Sequence, residues 1–258
     1  LMAVAIVQFV INALTDQGSG GAGNEENVAG SQAFFEGHAQ LGTIIESHYP
    51  ERDAKDIPRN TMIAVTFKEK IRPETIIADQ TAHTINSTNI KIYKKFQSDG
   101  KTLNTESTAL NNDQVSANVS KDQKTFVFKA LGLIGDPNQE VIYIVVLKEG
   151  IKIDDGSKTG KNAFPVGKPY DWTFTVSPKI DITPPRVVSI FPYPFKDAKD
   201  VQPRNVILQI NFSEPVNPLS ASGKVIDDTF QNILVSNNGA VDGEFKIRKM
   251  VNDSININ

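Results

Sequence analysis

One motif occurs twice in this chain, and any fold proposed for it has to accommodate both copies. Asp53-Ala54-Lys55-Asp56-Ile57-Pro58-Arg59-Asn60 recurs as Asp197-Ala198-Lys199-Asp200-Val201-Gln202-Pro203-Arg204-Asn205, with Gln202 as a single insertion. Past the insertion the register holds at an offset of 145 residues (205 − 60), pairing Phe67 with Phe212, Glu69 with Glu214, Ile71 with Val216 and Pro73 with Pro218. An interval of that size is the length of a domain and not of a solenoid turn. A chain of 258 residues therefore divides into two units, 44–180 and 181–258. The second has only 75 residues from Pro184 onward (258 − 183) and is expected to be truncated. Leu1 opens inside an apolar run and Asn258 closes an Asn-rich one, so both ends are expected to be cuts through a longer protein.

The patterning within the units is that of strands. Thr61, Ile63, Val65 and Phe67 alternate with Met62, Ala64 and Thr66; Val206, Leu208, Ile210 and Phe212 alternate with Ile207, Gln209 and Asn211. A period of two places the larger apolar set on one face. Pro58 and Pro203 stand before these strands, where a missing N–H costs no ladder bond, and Pro73 and Pro218 stand after them and end the pairing. Further strands are expected at 89–96, 114–120, 125–129, 140–147 and 171–176, separated by turn formers such as Gly135-Asp136-Pro137-Asn138 and Asp154-Asp155-Gly156-Ser157. Val141 to Leu147 is apolar on both faces, which suits a central strand, whereas the strict alternation of Trp172, Phe174 and Val176 with Thr173 and Thr175 suits a strand with one wet face. The Pro-containing connector from Ser177 to Pro185 is short enough to favour stacking of the units as a rod.

Upstream, residues 1–14 (LMAVAIVQFVINAL) are interrupted only by Gln8 and Asn12. Fourteen residues fall short of the roughly 20 that span a bilayer, so the run is expected to be the end of a membrane-spanning or signal-like helix. Residues 15–43 form a linker. Its Gly18-Ser19-Gly20-Gly21-Ala22-Gly23 matches G-x-G-x-x-G formally, but Thr15-Asp16-Gln17 separates it from the apolar run and Asn24-Glu25-Glu26-Asn27 follows where an apolar helix face would begin. It is a flexible spacer and not a dinucleotide loop.

Little in the chain nominates chemistry. A net charge of −3 gives no whole-chain case for nucleic acid, and the absence of Cys removes disulfides, thiolate zinc sites and Cys nucleophiles. The shared Glu69 and Glu214 invite a metal or catalytic role, yet a lone carboxylate completes neither an oxygen cage nor an acid/base pair, and a structural role at the strand exit is expected. Asp154-Asp155-Gly156-Ser157 could hold a surface Ca²⁺, though it lacks the alternating ligands and bidentate Glu of a calcium loop. His38, His48 and His83 are scattered in polar sequence surroundings with no catalytic motif beside them. Lys91, Lys94 and Lys95 flank Ile92, Tyr93 and Phe96, as on a solvated or edge-protecting strand face. Asn86-Ser87-Thr88 and Asn118-Val119-Ser120 fit the glycosylation sequon. No catalytic, cofactor-binding or metal-binding residue is assigned.

Thr183-Pro184-Pro185-Arg186-Val187-Val188-Ser189-Ile190-Phe191-Pro192, Asp200 to Asn205 and Phe212-Ser213-Glu214-Pro215-Val216 resemble the opening of the bacterial Ig-like domains repeated in S-layer and other surface proteins. Tyr143 to Leu147, Gly150-Ile151-Lys152, Asp154-Asp155-Gly156 and Trp172 to Thr175 match the order of that family's second half. The first copy departs from it at Lys68-Glu69-Lys70, where Ser-Glu-Pro is usual, and in a polar excursion from Gln97 to Asp113. A fainter resemblance links residues 1–14 to pilin-like membrane segments. The resemblance implies an all-β chain of tandem Ig-like β-sandwiches preceded by an N-terminal apolar helix and a Gly-rich linker. It further implies a non-enzymatic, membrane-anchored surface protein of structural or adhesive role, without cofactor, whose partners are cell-envelope or surface components, protein or glycan, and not nucleic acid. The alternatives are a pilus-like or secretion-apparatus membrane subunit, and spacer domains of a larger surface enzyme.

Overall fold

The computed structural model describes residues 44–191, 208–222, 236–237, 240–241, 247–251 and 254–257. The expected helix at 1–14, the linker at 15–43 and the motif copy at 197–205 lie outside the described residues. What is described is all-β. The strands are β1 (Ile45–Tyr49), β2 (Ala54–Ile57), β3 (Met62–Phe67), β4 (Ile77–Asp79), β5 (Thr84–Ile85), β6 (Ile90–Lys94), β7 (Val115–Val119), β8 (Thr125–Ala130) and β9 (Val141–Leu147). They continue with β10 (Lys152–Ile153), β11 (Lys161–Asn162), β12 (Tyr170–Val176), β13 (Val187–Phe191), β14 (Leu208–Phe212), β15 (Ser236–Asn237), β16 (Ala240–Val241), β17 (Ile247–Val251) and β18 (Ser254–Ile257). Helical structure among the described residues is confined to α1 (Leu219–Ser222) and two 3-10 turns at Pro73–Thr75 and Glu106–Thr108.

Two four-stranded sheets, ordered β1-β3-β8-β7 and β2-β12-β9-β6, face each other across one core. Period-two patterning builds that core. Ile63, Val65 and Phe67 on β3, Phe126 and Phe128 on β8, and Val115, Ala117 and Val119 on β7 meet Ile90 and Ile92 on β6, Tyr143, Val145 and Leu147 on β9, and Tyr170, Trp172, Phe174 and Val176 on β12. Complete burial of each large side chain contributes about 1.5–3 kcal/mol, so a sandwich without cysteine needs no covalent staple. The expected central strand β9 lies between β12 and β6, and β12 keeps Asp171, Thr173 and Thr175 half-buried on its other face. At one end Tyr143 Oη accepts the Gly135 N–H at 3.0 Å.

A third sheet, ordered β13-β14-β18-β17, repeats the first strand for strand. In β1–β3, Ile45 faces Phe67 and, after a bulge, Ser47 faces Thr66; in β13–β14, Val187 faces Phe212 and, after a bulge, Ser189 faces Asn211. The hydrogen bond beyond the pair recurs as well, with Lys68 N–H donating to Ile44 O at 2.9 Å and Ser213 N–H to Arg186 O at 2.8 Å. The offset is 142 on the first strand (187 − 45) and 145 on the second (212 − 67), so three residues are inserted between them, of which Gln202 is one. Ile71 and its counterpart Val216 are both buried. Pro73 and Pro218 do more than end their strands: Pro73 opens a 3-10 turn and Pro218 precedes α1, as suits a residue whose fixed φ fits a first helical turn.

The repeated motif has a backbone reason. Asp53 and Asp56 adopt φ of 59° and 60°, in the left-handed region that Asp tolerates better than most side chains, and both recur as Asp, at 197 and 200. The short strand β2 that follows Asp53 is pinned to β12 of its own sheet. Asp53 N–H donates to Thr173 O at 2.7 Å and Thr173 Oγ1 donates to Asp53 Oδ1 at 2.6 Å.

Candidate functional site

For a chain without a nominated catalytic group, the site of interest is where its repeated parts meet. The connector leaves β12 along the motif segment of the first sandwich. Ser177 N–H donates to Ile57 O at 2.8 Å and Arg59 N–H to Lys179 O at 2.8 Å. Asn60 then clamps the backbone of Asp181 from both sides, its Nδ2 donating to Asp181 O at 2.6 Å and its Oδ1 accepting Asp181 N–H at 3.0 Å. The Lys179–Asp56 ion pair at 3.1 Å is exposed on both sides and adds little. At the far end Arg186 N–H donates to Ser213 Oγ at 3.0 Å. The connector is thus tied at Ser177–Asp181 to one unit and at Arg186 to the other.

Across this connector α1 packs on the first sandwich. Leu219 is buried against Ala64 of β3 and Val127 of β8, with Tyr49 and Met62 at the margin. Ala64 and Val127 lie on the outer face of the first sheet, which the alternation left as the smaller apolar side; their size makes the seat for Leu219. Beside the seat, Glu214 and Asp181 lie close enough for each to act on the other's charge. Partial burial, and after it the Asp181 carboxylate, push the Glu214 carboxyl up to about 7. Asp181 goes the other way: the Thr183 N–H, which its Oδ1 accepts at 2.8 Å, holds it below the usual carboxylate range, with Glu214 as the second donor. Burial raises the Tyr49 phenol, and the two carboxyls add to the rise.

The sequence-matched glutamates have parted company. Glu69 is exposed, whereas Glu214 faces the connector. Asp154 to Ser157 is held by a residue the sequence did not single out, Arg72. Its guanidinium donates to Ser157 O and to Lys158 O (2.9 Å) and lies 3.9 Å from Asp154 Oδ1. The Ser157 hydroxyl and N–H, the latter 3.0 Å from Asp155 Oδ1, lower the Asp155 carboxyl, with Arg72 contributing least. Arg72 follows Ile71 directly, and a basic residue beside a buried strand-exit residue was the available signal.

The histidines separate. His38 lies outside the described residues, and His83, at φ 57°, occupies a turn and accepts Ala117 N–H at its carbonyl. His48 corrects the expectation of polar surroundings: it is 6% exposed and stacks on Trp172 at 4.3 Å between ring centroids. Its Nδ1 donates to Pro50 O at 2.8 Å, which sets the proton on Nδ1. Burial lowers its pKa to about 4 against the raising effect of that carbonyl, with Arg52 lowering it further. The pattern β1 shares with β13 could have shown this, because position 48 pairs with core residue Val65. Lys91 and Lys94 lie on β6, an edge strand, with Ile90 and Ile92 turned into the core. Asn86 takes part in a turn, accepting Thr88 N–H at 3.2 Å, and Asn118 is half-buried on β7. Among the described residues no group of three or more His, Asp or Glu converges as a metal cage.

No family profile and no curated protein matches the chain. Among solved structures it is similar to domains 1–6 of the surface layer protein SbsC, at 20% identity over 57% of this chain and 14% of that one, with a TM-score of 0.28. A second SbsC structure is similar at 16% identity over 82% of this chain and 21% of that one, with a TM-score of 0.28. The copper resistance protein PcoC from Escherichia coli is similar at 16% identity over 52% of this chain and 98% of that one, with a TM-score of 0.30. The chain thus spans less than a quarter of either SbsC structure.

Proposed function

We propose that this chain is a non-enzymatic structural segment of a cell-surface protein, built of tandem Ig-like sandwiches whose job is to hold a fixed spacing and direction. One observation carries the proposal: a hairpin repeated down to its bulge and its closing hydrogen bond, joined by a connector that is tied to both copies. A connector that only links would need no Asn60 clamp and no seat for Leu219. The sequence resemblance to the Ig-like repeats of S-layer and surface proteins supplies the surface location.

Residues 44–180 make up the first module and 181–258 belong to a second of the same kind. Val187 on β13, 51% exposed, is the counterpart of the wholly buried Ile45 on β1. The apolar residues 1–14 anchor the chain to a membrane and residues 15–43 space the modules from it. Among the described residues no helix is long and apolar enough to cross a membrane. Partners are envelope or surface components, protein or glycan. The test is fractionation of cells expressing the complete protein. The modules should sediment with the envelope and be digested by protease added to intact cells; recovery in the cytosol, protected from protease, sinks the proposal.

A further inference from the structure

The polar excursion from Gln97 to Asp113 sets the first copy apart from the family it resembles, and its place in the fold gives it a task. It follows β6, an edge strand. Asn89 O accepts Lys148 N–H at 2.9 Å and Lys95 N–H donates to Ile142 O at 2.7 Å, so the odd-numbered residues along this strand bond to β9. The carbonyls of Ile92, Lys94 and Phe96 therefore point away from the sheet, as a row of acceptors that an added strand would use. The excursion fills all three. Leu110 N–H donates to Ile92 O at 2.8 Å, and Asn104 Nδ2 reaches both Lys94 O (3.0 Å) and Phe96 O (2.9 Å). Asn104 N–H adds a bond to Lys95 O at 2.9 Å, Glu106 pairs with Lys148 at the end of β9, and Leu110 packs against the core.

The other edges of the first sandwich are blunted by other means. β1 is bulged after Ile45, and β2 is four residues long and bent by the left-handed Asp56. β7 is covered at Ala117, whose N–H donates to His83 O at 2.8 Å. β6 runs in unbroken register along β9, so its protection falls to its lysines and to the excursion. We propose that residues 97–113 are an edge guard, and that what they hold shut is a strand-addition site for a second copy of this chain, through antiparallel β6–β6 pairing. The β6 sequence suits that partner. With Ile92 opposite its own symmetry mate, Lys91 falls opposite Tyr93 and Ile90 opposite Lys94, so no like charges meet across the seam. The guard lets copies stand side by side without their sheets fusing.

The inference does not depend on the tied junction, and its test is sedimentation equilibrium of the full chain in a mild non-ionic detergent over a concentration series. Association through residues 1–14 is common to every sample and cancels in the comparison. Replacing residues 98–109 by a Gly/Ser segment of equal length removes Asn104 and Glu106 while keeping the loop's reach, and Asn104→Ala removes only the two side-chain bonds. Both should raise the mean mass with concentration, up to about twofold for the Gly/Ser chain and less for Asn104→Ala. Adding Lys94→Pro to either should cancel the rise: the N–H at 94 points outward, so its loss blocks strand addition and costs no bond to β9. Near-ultraviolet circular dichroism of Trp172 reports whether the sandwich is folded in each sample. A mean mass equal to that of the unsubstituted chain in both variants, with the Trp172 signal kept, overturns the guard. So does a rise that Lys94→Pro leaves in place, because the seam would then lie at another edge. Loss of the Trp172 signal in the Gly/Ser chain also overturns it, for the excursion would then be a support of the core and not a cover for its edge.

Discussion

His48 sits stacked on Trp172 in the core with its proton on Nδ1, and that placement sets how the first sandwich responds to acid. Its pKa is about 4 folded and 6.5 unfolded. Between those values the unfolded chain takes up a proton that the folded chain refuses. Its contribution to stability is therefore complete above 6.5 and is lost as pH falls toward 4, a loss of up to about 3 kcal/mol. Urea unfolding followed through Trp172 should show that decline, and His48→Phe, which keeps an apolar ring on Trp172, should flatten it. A curve equally steep in His48→Phe would place the acid response elsewhere. Glycine has one decisive position at this scale. A Cβ on Gly150 would lie 2.0 Å from Asn89 Oδ1, on the side chain whose Nδ2 donates to Thr75 O at 2.8 Å. The Gly-Ile turn thus keeps its glycine for close approach.

At the scale of elements, the paired hairpins were legible because alternation and the Asp-x-x-Asp motif act locally: period two chooses the buried face, and Asp suits a left-handed backbone. Asn60 was visible as part of the motif, but its grip on Asp181 joins residues 121 apart, a separation no local pattern encodes. Arg72 and the Asp154 to Ser157 loop are distant in the same way. Glu214 shows the opposite limit, for its repeat match suggested a role shared with Glu69, and the connector gives it a different one. Leu219 lies in a four-residue helix too short to hold itself together, so packing must form it. Leu219→Ala removes a side chain that is 3% exposed. It should weaken docking of α1 by about 2 kcal/mol, the low end for such truncations, because the seat can relax toward solvent. Limited proteolysis should then cut the connector at 182–185 several-fold faster while the urea midpoint of the first sandwich holds. Cleavage at the unchanged rate would show that the seat does not restrain the connector.

For the molecule as a whole, stiffness is assigned to one short junction, made of the Asn60 clamp, the Leu219 seat and the Arg186–Ser213 hydrogen bond. None of these contacts is large. Together they act on a connector whose ends are already tied, so little further chain entropy opposes them. That division of labour, in which stability resides in the sandwich core and direction in the junction, is the central claim. Residual dipolar couplings test it most directly. Backbone amides of 44–180 and of 186–191 and 208–222 should fit a single alignment tensor, and Asn60→Ala should split them into two of unequal magnitude. Two unequal tensors in the unsubstituted chain would contradict the claim, for the modules would then be beads on a string and not a rod.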